Sequence, residues 1–171
     1  MTERVLISAE EIKNRVAQLA HQIAADYTGE LIVAGLLTGS FIFLADLLRN
    51  LSGADIDILV DFLVVSSYGS GTETSGSVCI SRDMSIDVKG RNVLLVDDIL
   101  DTGHTLGAVY THIKVKGPAS VKTCVLLEKP SRLRVAAEAD YTGFTVPDTF
   151  VVGYGLDHNG RFRQLPYITS I

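Results

Sequence analysis

The chain has little that would mark a secreted, membrane-bound or metal-caged protein. It holds two cysteines, Cys79 and Cys124, in 171 residues. Two are too few for a disulfide scaffold or a cysteine-built metal site. Both sit among apolar or β-branched neighbours and read as small buried hydrophobes. No apolar run approaches the ~18 residues of a membrane-spanning helix. The start, Met1-Thr2-Glu3-Arg4, has no signal-peptide pattern, so the cytoplasm is the expected compartment. Positive charge is also in short supply. A net charge of −5 argues against a nucleic-acid or anionic-membrane surface, which would favour a basic face. It leaves room for a phosphorylated small molecule, which needs only local donors and a metal. Two phosphate motifs are absent as well. Without G-x-x-x-x-G-K-[ST] there is no P-loop, and without G-x-G-x-x-G after a strand there is no dinucleotide fingerprint. No internal repeat or distinct linker divides the chain, so one domain over residues 1–171 is expected.

Periodicity supplies the elements. Ser8-Ala9-Glu10-Glu11 is a capping box, and Ile12, Val16, Leu19, Ala20 and Ile23 follow at helical spacing. Leu31 to Leu36 reads as a buried strand. Ser40 is placed to cap a helix running from Phe41 to Leu51. Asp57 to Tyr68 reads as a strand, and Val78 to Arg82 as its returning partner. Between them, residues 69–77 hold three glycines and no large apolar residue. A loop that cannot order itself by burial is expected to be a flexible lid, with Ser67 and Tyr68 at its root. Lys89-Gly90 turns into a central strand. His104 to Lys116 reads as a helix ended by Gly117-Pro118, Val121 to Leu127 as a strand, and Phe150 to Val152 as a shorter one. Such alternation predicts an α/β fold, a parallel sheet flanked by helices. The last thirty-odd residues are expected to form a small hood over its C-terminal edge.

One stretch carries chemistry. Val93 to Val96 form a continuous apolar run, as buried parallel strands do. Asp97 and Asp98 stand at its end, then the turn Asp101-Thr102-Gly103-His104-Thr105 opens a helix. The C-terminal ends of such strands are where α/β proteins bind ligands. Helix N-termini and successive turn N–H groups attract phosphate. The carboxylates suit sugar hydroxyls, Mg2+ or a proton. A helix cap would need one of these aspartates; three within five positions point to a sugar phosphate.

This segment resembles the phosphoribosyl diphosphate motif of the type I phosphoribosyltransferases. The segments 35–41 (GLLTGSF), 66–69 (SSYG), 127–130 (LEKP) and 146–157 (VPDTFVVGYGLD) narrow the resemblance to the hypoxanthine (hypoxanthine-guanine) phosphoribosyltransferases. They follow the family's order along nearly the whole chain. The resemblance implies purine salvage: Mg2+-dependent transfer of 5-phosphoribosyl from its diphosphate to hypoxanthine, and to guanine. It implies Asp101 as the acid/base at purine N7, and Asp97, Asp98, Asp101, Thr102, Gly103, His104 and Thr105 around the ribose and 5′-phosphate. Thr38, Gly39 and Arg163 would bind diphosphate. Lys129, Phe150 and Val151 would bind the purine by O6 donation, stacking and backbone pairing. Asp97, Asp98 and Asp157 would serve the metal. The family also implies a homodimer or homotetramer, and a bond before Thr38 that can be cis. Departures are few. Asp97 replaces a common Glu and reaches one methylene less. Thr38 replaces a common Lys or Arg, which leaves backbone contact to the diphosphate. His104 stands where members vary, so backbone N–H groups would carry that contact.

Taken alone, Lys129 would be a solvated charge and Phe150 a core residue. Among rivals, a transferase for xanthine stays open, and adenine would need no donor at Lys129. A nucleotide-sensing transcription regulator on the same fold would want a basic face for nucleic acid. A phospho-acceptor receiver would carry its Asp pair near the start of the domain, whereas this pair lies past the middle of the chain.

Overall fold

The computed structural model describes residues 4–67 and 78–171. The lid assigned to residues 69–77, and Tyr68 at its root, lie outside them. Among the described residues nine strands and three helices follow one another as β1 (Arg4–Ile7), α1 (Ala9–Asp26), β2 (Gly29–Leu37), α2 (Phe41–Leu51), β3 (Ile56–Ser67), β4 (Val78–Arg82), β5 (Asn92–Leu100), α3 (His104–Lys114), β6 (Ser120–Glu128), β7 (Tyr141–Thr145), β8 (Val151–Val152) and β9 (Ile168–Ser170). A 3-10 turn, Pro130–Arg132, follows β6.

Six strands make the main sheet in the order β4-β3-β2-β5-β6-β7. All pairings are parallel except that of β4 with β3, as the returning strand required. The central register sets Ala34 beside Leu95 and Leu95 beside Thr123. Because side chains alternate along a strand, β5 feeds two cores. Leu94 and Val96 pack with α1 and α2, around Ile12, Leu19, Phe43 and Leu47. Val93 and Leu95 pack on the other face with Leu106, Val109 and Ile113 of α3.

The helix starts differ in a way that bears on the site. α1 has the full capping box, with Ser8 Oγ accepting from Glu11 N–H and the Glu11 carboxylate accepting from Ser8 N–H at 2.8 Å. Such a cap is worth about 1 kcal/mol. Ser40 does not cap α2 with its side chain; it donates to the Leu36 carbonyl at 2.6 Å. Its backbone is already helical, φ −74° and ψ −8°, and an N-cap side chain needs an extended backbone to reach forward.

A second, three-stranded antiparallel sheet, β1-β9-β8, forms the hood. Besides β8 and β9 of the C-terminal segment, this sheet takes in β1, which pairs with β9. β7 was missing from the expected strands. It is short, its sequence is Tyr-Thr-Gly-Phe-Thr, and only Tyr141 in it is buried. Arg15 of α1 donates to its Thr142 and Gly143 carbonyls at 2.7 and 2.8 Å, occupying the edge that no strand covers. Among the described residues no helix is long and apolar enough to cross a membrane.

Candidate active site

A cleft of about 890 Å³ opens at the C-terminal edge of the parallel strands. Its walls are the segment Leu36–Gly39 after β2, the run Asp97–Leu106 from the end of β5 into α3, Arg132 and Arg134 after β6, and Asp157 and Arg163 from the hood. The fold thus gathers in one place every residue expected at the ribose, the 5′-phosphate, the diphosphate and the metal.

Asp97 and Asp98 stand side by side near the end of β5. Asp97 is only 8% exposed, and its Oδ1 accepts the Asp98 N–H at 2.9 Å. Burial, then the neighbouring charge of Asp98 and a hydrogen bond to it, raise the Asp97 carboxyl well above the usual range. Burial raises Asp98 as well; the hydrogen bond from Asp97 and the charge of Arg163 pull the other way. Gly39 lies directly beneath the Asp98 carboxylate. A Cβ at that position would stand 1.8 Å from Asp98 Oδ2. Gly155, with φ +103°, packs on the same loop, its would-be Cβ 2.2 Å from the Gly39 carbonyl oxygen. Two glycines therefore let the β2 loop, the β5 carboxylates and the hood close on one another. The Leu37-Thr38 peptide is cis.

The phosphate turn is shaped by Gly103, φ +87°, immediately before α3. A side chain there would also meet Val135 and Ala137 at 3.0 Å. No side chain caps this helix start, so its first-turn N–H groups face the cleft where an anion is favoured. The Thr102 carbonyl accepts the N–H groups of Arg134 and Val135 at 2.9 and 3.4 Å. Asp101 is held by Arg132, whose Nε donates to its Oδ1 at 2.9 Å.

Asp157 is already engaged. Its Oδ1 lies 2.8 Å from Arg163 Nη2, and its Oδ2 accepts the Gly160 N–H at 2.6 Å. Arg163 in turn donates to the Gly155 carbonyl at 2.6 Å. Among the described residues no three His, Cys, Asp or Glu side chains stand close enough to cage a metal by themselves.

Lys129, Phe150 and Val151 do not line this cleft; Lys129 instead reaches the segment that carries the other two. Lys129 is 6% exposed and donates to the Thr149 carbonyl at 2.7 Å, so it is no solvated charge. Phe150 is 53% exposed, its ring edge-on to His158 with centroids 5.3 Å apart, so it is no core residue. Val151 is buried in the hood opposite Ser170. Sequence reasoning overlooked Arg132 and Arg134. Two arginines within five residues of Lys129, just past the end of a parallel strand, were the available signal. The two cysteines also divide: Cys124 is buried, and Cys79 only half-buried.

A model of the phosphoribosyl transferase domain matches residues 8–159. A hypoxanthine-guanine phosphoribosyltransferase of Aquifex aeolicus is 47% identical over 98% of this chain and 94% of its own length. The hypoxanthine phosphoribosyltransferase of Escherichia coli K12 is 43% identical over 99% and 96%. A crystal structure of a hypoxanthine-guanine phosphoribosyltransferase from Bacillus anthracis, with a HEPES molecule in its active site, superposes with a TM-score of 0.91 at 43% identity, covering 98% of both chains.

Proposed function

Since the chain belongs to the phosphoribosyltransferase family, and within it to the hypoxanthine phosphoribosyltransferases, we propose that it transfers 5-phosphoribosyl from phosphoribosyl diphosphate to hypoxanthine, and to guanine, releasing diphosphate. The observation that carries this reading is one cleft holding the adjacent carboxylates Asp97 and Asp98, a turn with an uncapped helix start, and an Asp157–Arg163 pair delivered by the hood. A sugar carrying phosphate at one end and diphosphate at the other needs these three features.

In this mechanism the purine N9 lone pair attacks C1′ of the ribose. The bond from C1′ to the diphosphate oxygen breaks, and its electron pair leaves with diphosphate. The proton on N7 passes to Asp101, which lines the cleft and is joined through Arg132 to Asp148, on the segment that carries Phe150 and Val151. General acid–base catalysis of this kind contributes about 10²–10⁴-fold. The α3 start and the Thr102–Thr105 turn hold the 5′-phosphate through N–H groups and hydroxyls. Thr38 and Gly39 contribute backbone groups to the diphosphate, and Arg163 its charge. Lys129 keeps two further donors beyond the one spent on Thr149, enough for the O6 of a 6-oxopurine. Phe150, half exposed, would stack on the base.

Mg2+ fits the donor set. Asp97, Asp98 and Asp157 offer hard oxygens, and Mg2+ is commonly held by one or two carboxylates plus substrate phosphates, without a full protein cage. When bound it neutralises charge on the departing diphosphate. We further assign the chain to the cytoplasm, as a homodimer or homotetramer acting as a single phosphoribosyltransferase domain.

Separate assays of hypoxanthine, guanine, xanthine and adenine with phosphoribosyl diphosphate and Mg2+ test the reading. Nucleotide should form from hypoxanthine and guanine and not from adenine. A preference for xanthine would change the substrate and keep the chemistry. No nucleotide from any base would favour a ligand-sensing role on the same fold.

A further inference from the structure

Arg132 occupies a place that the chemistry above leaves unused. It ends the 3-10 turn after β6, and its Nε donates to Asp101 Oδ1 at 2.9 Å. The same nitrogen lies 3.6 Å from Asp148 Oδ1, an ion-pair distance beyond hydrogen-bond reach. Asp101 belongs to the turn after β5, and Asp148 to the segment that carries Thr149 and Phe150. Two other bonds stitch the same three segments. Lys129 donates its N–H to the Leu100 carbonyl at 2.9 Å and its Nζ to the Thr149 carbonyl at 2.7 Å. The Arg132 N–H is itself fixed on the Lys129 carbonyl at 3.0 Å. Arg132 is thus the side chain that touches the acid/base carboxylate on one side and the purine segment on the other.

A guanidinium suits such a post. It is always charged, and its planar fork fixes a carboxylate in orientation as well as in position. Asp101 has two oxygens, and Arg132 takes Oδ1. Among the described residues Oδ2 has no hydrogen bond, which leaves it to face a ring nitrogen. An acid/base group that swings freely loses much of the benefit of proximity, because reacting atoms must be held about 3–3.5 Å apart with the right alignment.

We propose that Arg132 is a positioning residue for the proton-transfer step: it fixes Asp101 by one oxygen and, through Asp148, ties that carboxylate to the segment that binds the purine. It touches no reacting atom and acts through Asp101. This inference rests on the reading in which Asp101 takes the purine proton.

The test is a mutant cycle on the full-length protein, read as single-turnover nucleotide formation at saturating hypoxanthine, phosphoribosyl diphosphate and Mg2+. Arg132→Gln should slow the chemical step roughly 10- to 100-fold, the scale of one hydrogen bond to a charged group. The KM for phosphoribosyl diphosphate should stay within about twofold. Arg132→Lys keeps the charge without the fork and should fall between Gln and the parent. The decisive variant is Asp101→Asn with Arg132→Gln. If Arg132 acts only through Asp101, the double variant is no slower than Asp101→Asn alone, since groups that act as a unit are not additive. Losses that multiply in the double variant, or an Arg132→Gln protein as fast as the parent, overturn the proposal. Thermal unfolding checks each variant, and Arg132→Lys carries the same cycle if the Gln variant fails to fold. A parent that forms no nucleotide removes both this inference and the reading beneath it; an active parent with a multiplicative cycle removes this inference alone.

Discussion

At the level of single residues, the site depends on atoms that are missing as much as on atoms that are present. Gly39 is the sharpest case, because a methyl group there would overlap the Asp98 carboxylate. The clash is with the far end of a side chain, so Asp98 can move aside and the fold can survive. Gly39→Ala should therefore melt close to the parent while kcat/KM for phosphoribosyl diphosphate falls by about 10²-fold, the cost typical of a 1 Å misplacement. An unchanged kcat/KM would show that Asp98 is not needed where it sits. Phe150 supports a complementary prediction. Its ring is half exposed, so Phe150→Leu should leave the melting temperature nearly unchanged. Loss of base stacking, about 1–3 kcal/mol, should raise purine KM by roughly 5- to 150-fold, with little effect on the KM for phosphoribosyl diphosphate. A drop in melting temperature with purine KM unchanged would return Phe150 to a packing role.

Among the elements, α3 has to present its N-terminus to the phosphate, and its far end is anchored for the purpose. Asp83, just past β4, receives His112 at 2.8 Å and Lys116. Burial works against the Asp83 charge, but Lys116, His112 and the Met84 N–H outweigh it and hold the carboxyl at about 2, against an ordinary 3.8. A depressed carboxylate stabilises the fold in full above its unfolded pKa and loses that contribution as pH falls toward the folded value. Asp83→Asn should accordingly melt below the parent at pH 5, by about 2–4 °C if the partly exposed cluster is worth ~1 kcal/mol. The gap should close between about pH 4 and pH 2. A melting series that keeps the gap at pH 2 would rule out this linkage. The elements also show how far the sequence could be read. The three helices, the β2 and β5 apolar runs and the capping box were legible because each is a local pattern. β1, β7 and β9 were not. β1 and β9 are short and defined by partners far along the chain, as Arg4 is by Ser170, and β7 is short with a single buried residue to set its face. Arg132 was missed for the same reason: its role lies in contacts to Asp101 and Asp148, and no local periodicity marks them.

Over the whole molecule, the two cores share the central strands, so a probe buried on one face of those strands reports opening of the sheet. Cys124 on β6 is such a probe. It is fully buried, and burial pushes its thiol far above the usual range, which removes the reactive thiolate. With an aromatic disulfide reagent, Cys79 should label first in the native protein. Cys124 should label only at the rate of global unfolding, and labelling of both should be fast in denaturant. Rapid reaction of Cys124 under native conditions would mean that the β6 region opens independently of the rest. The hood has a further consequence, in the order of assembly. Among the described residues β1 has β9 as its only strand partner, and the two are far apart in the sequence. As a ribosome delivers the chain from the N-terminus, the central strands β2, β3 and β5 can associate while β1 waits for residues 168–170. Loop closure over such a separation is entropically slow to reward. The segment bearing Gly155, Asp157 and Arg163 therefore settles over Gly39 only after the last strand has emerged. A nascent chain would hold a folded sheet before it could hold a substrate.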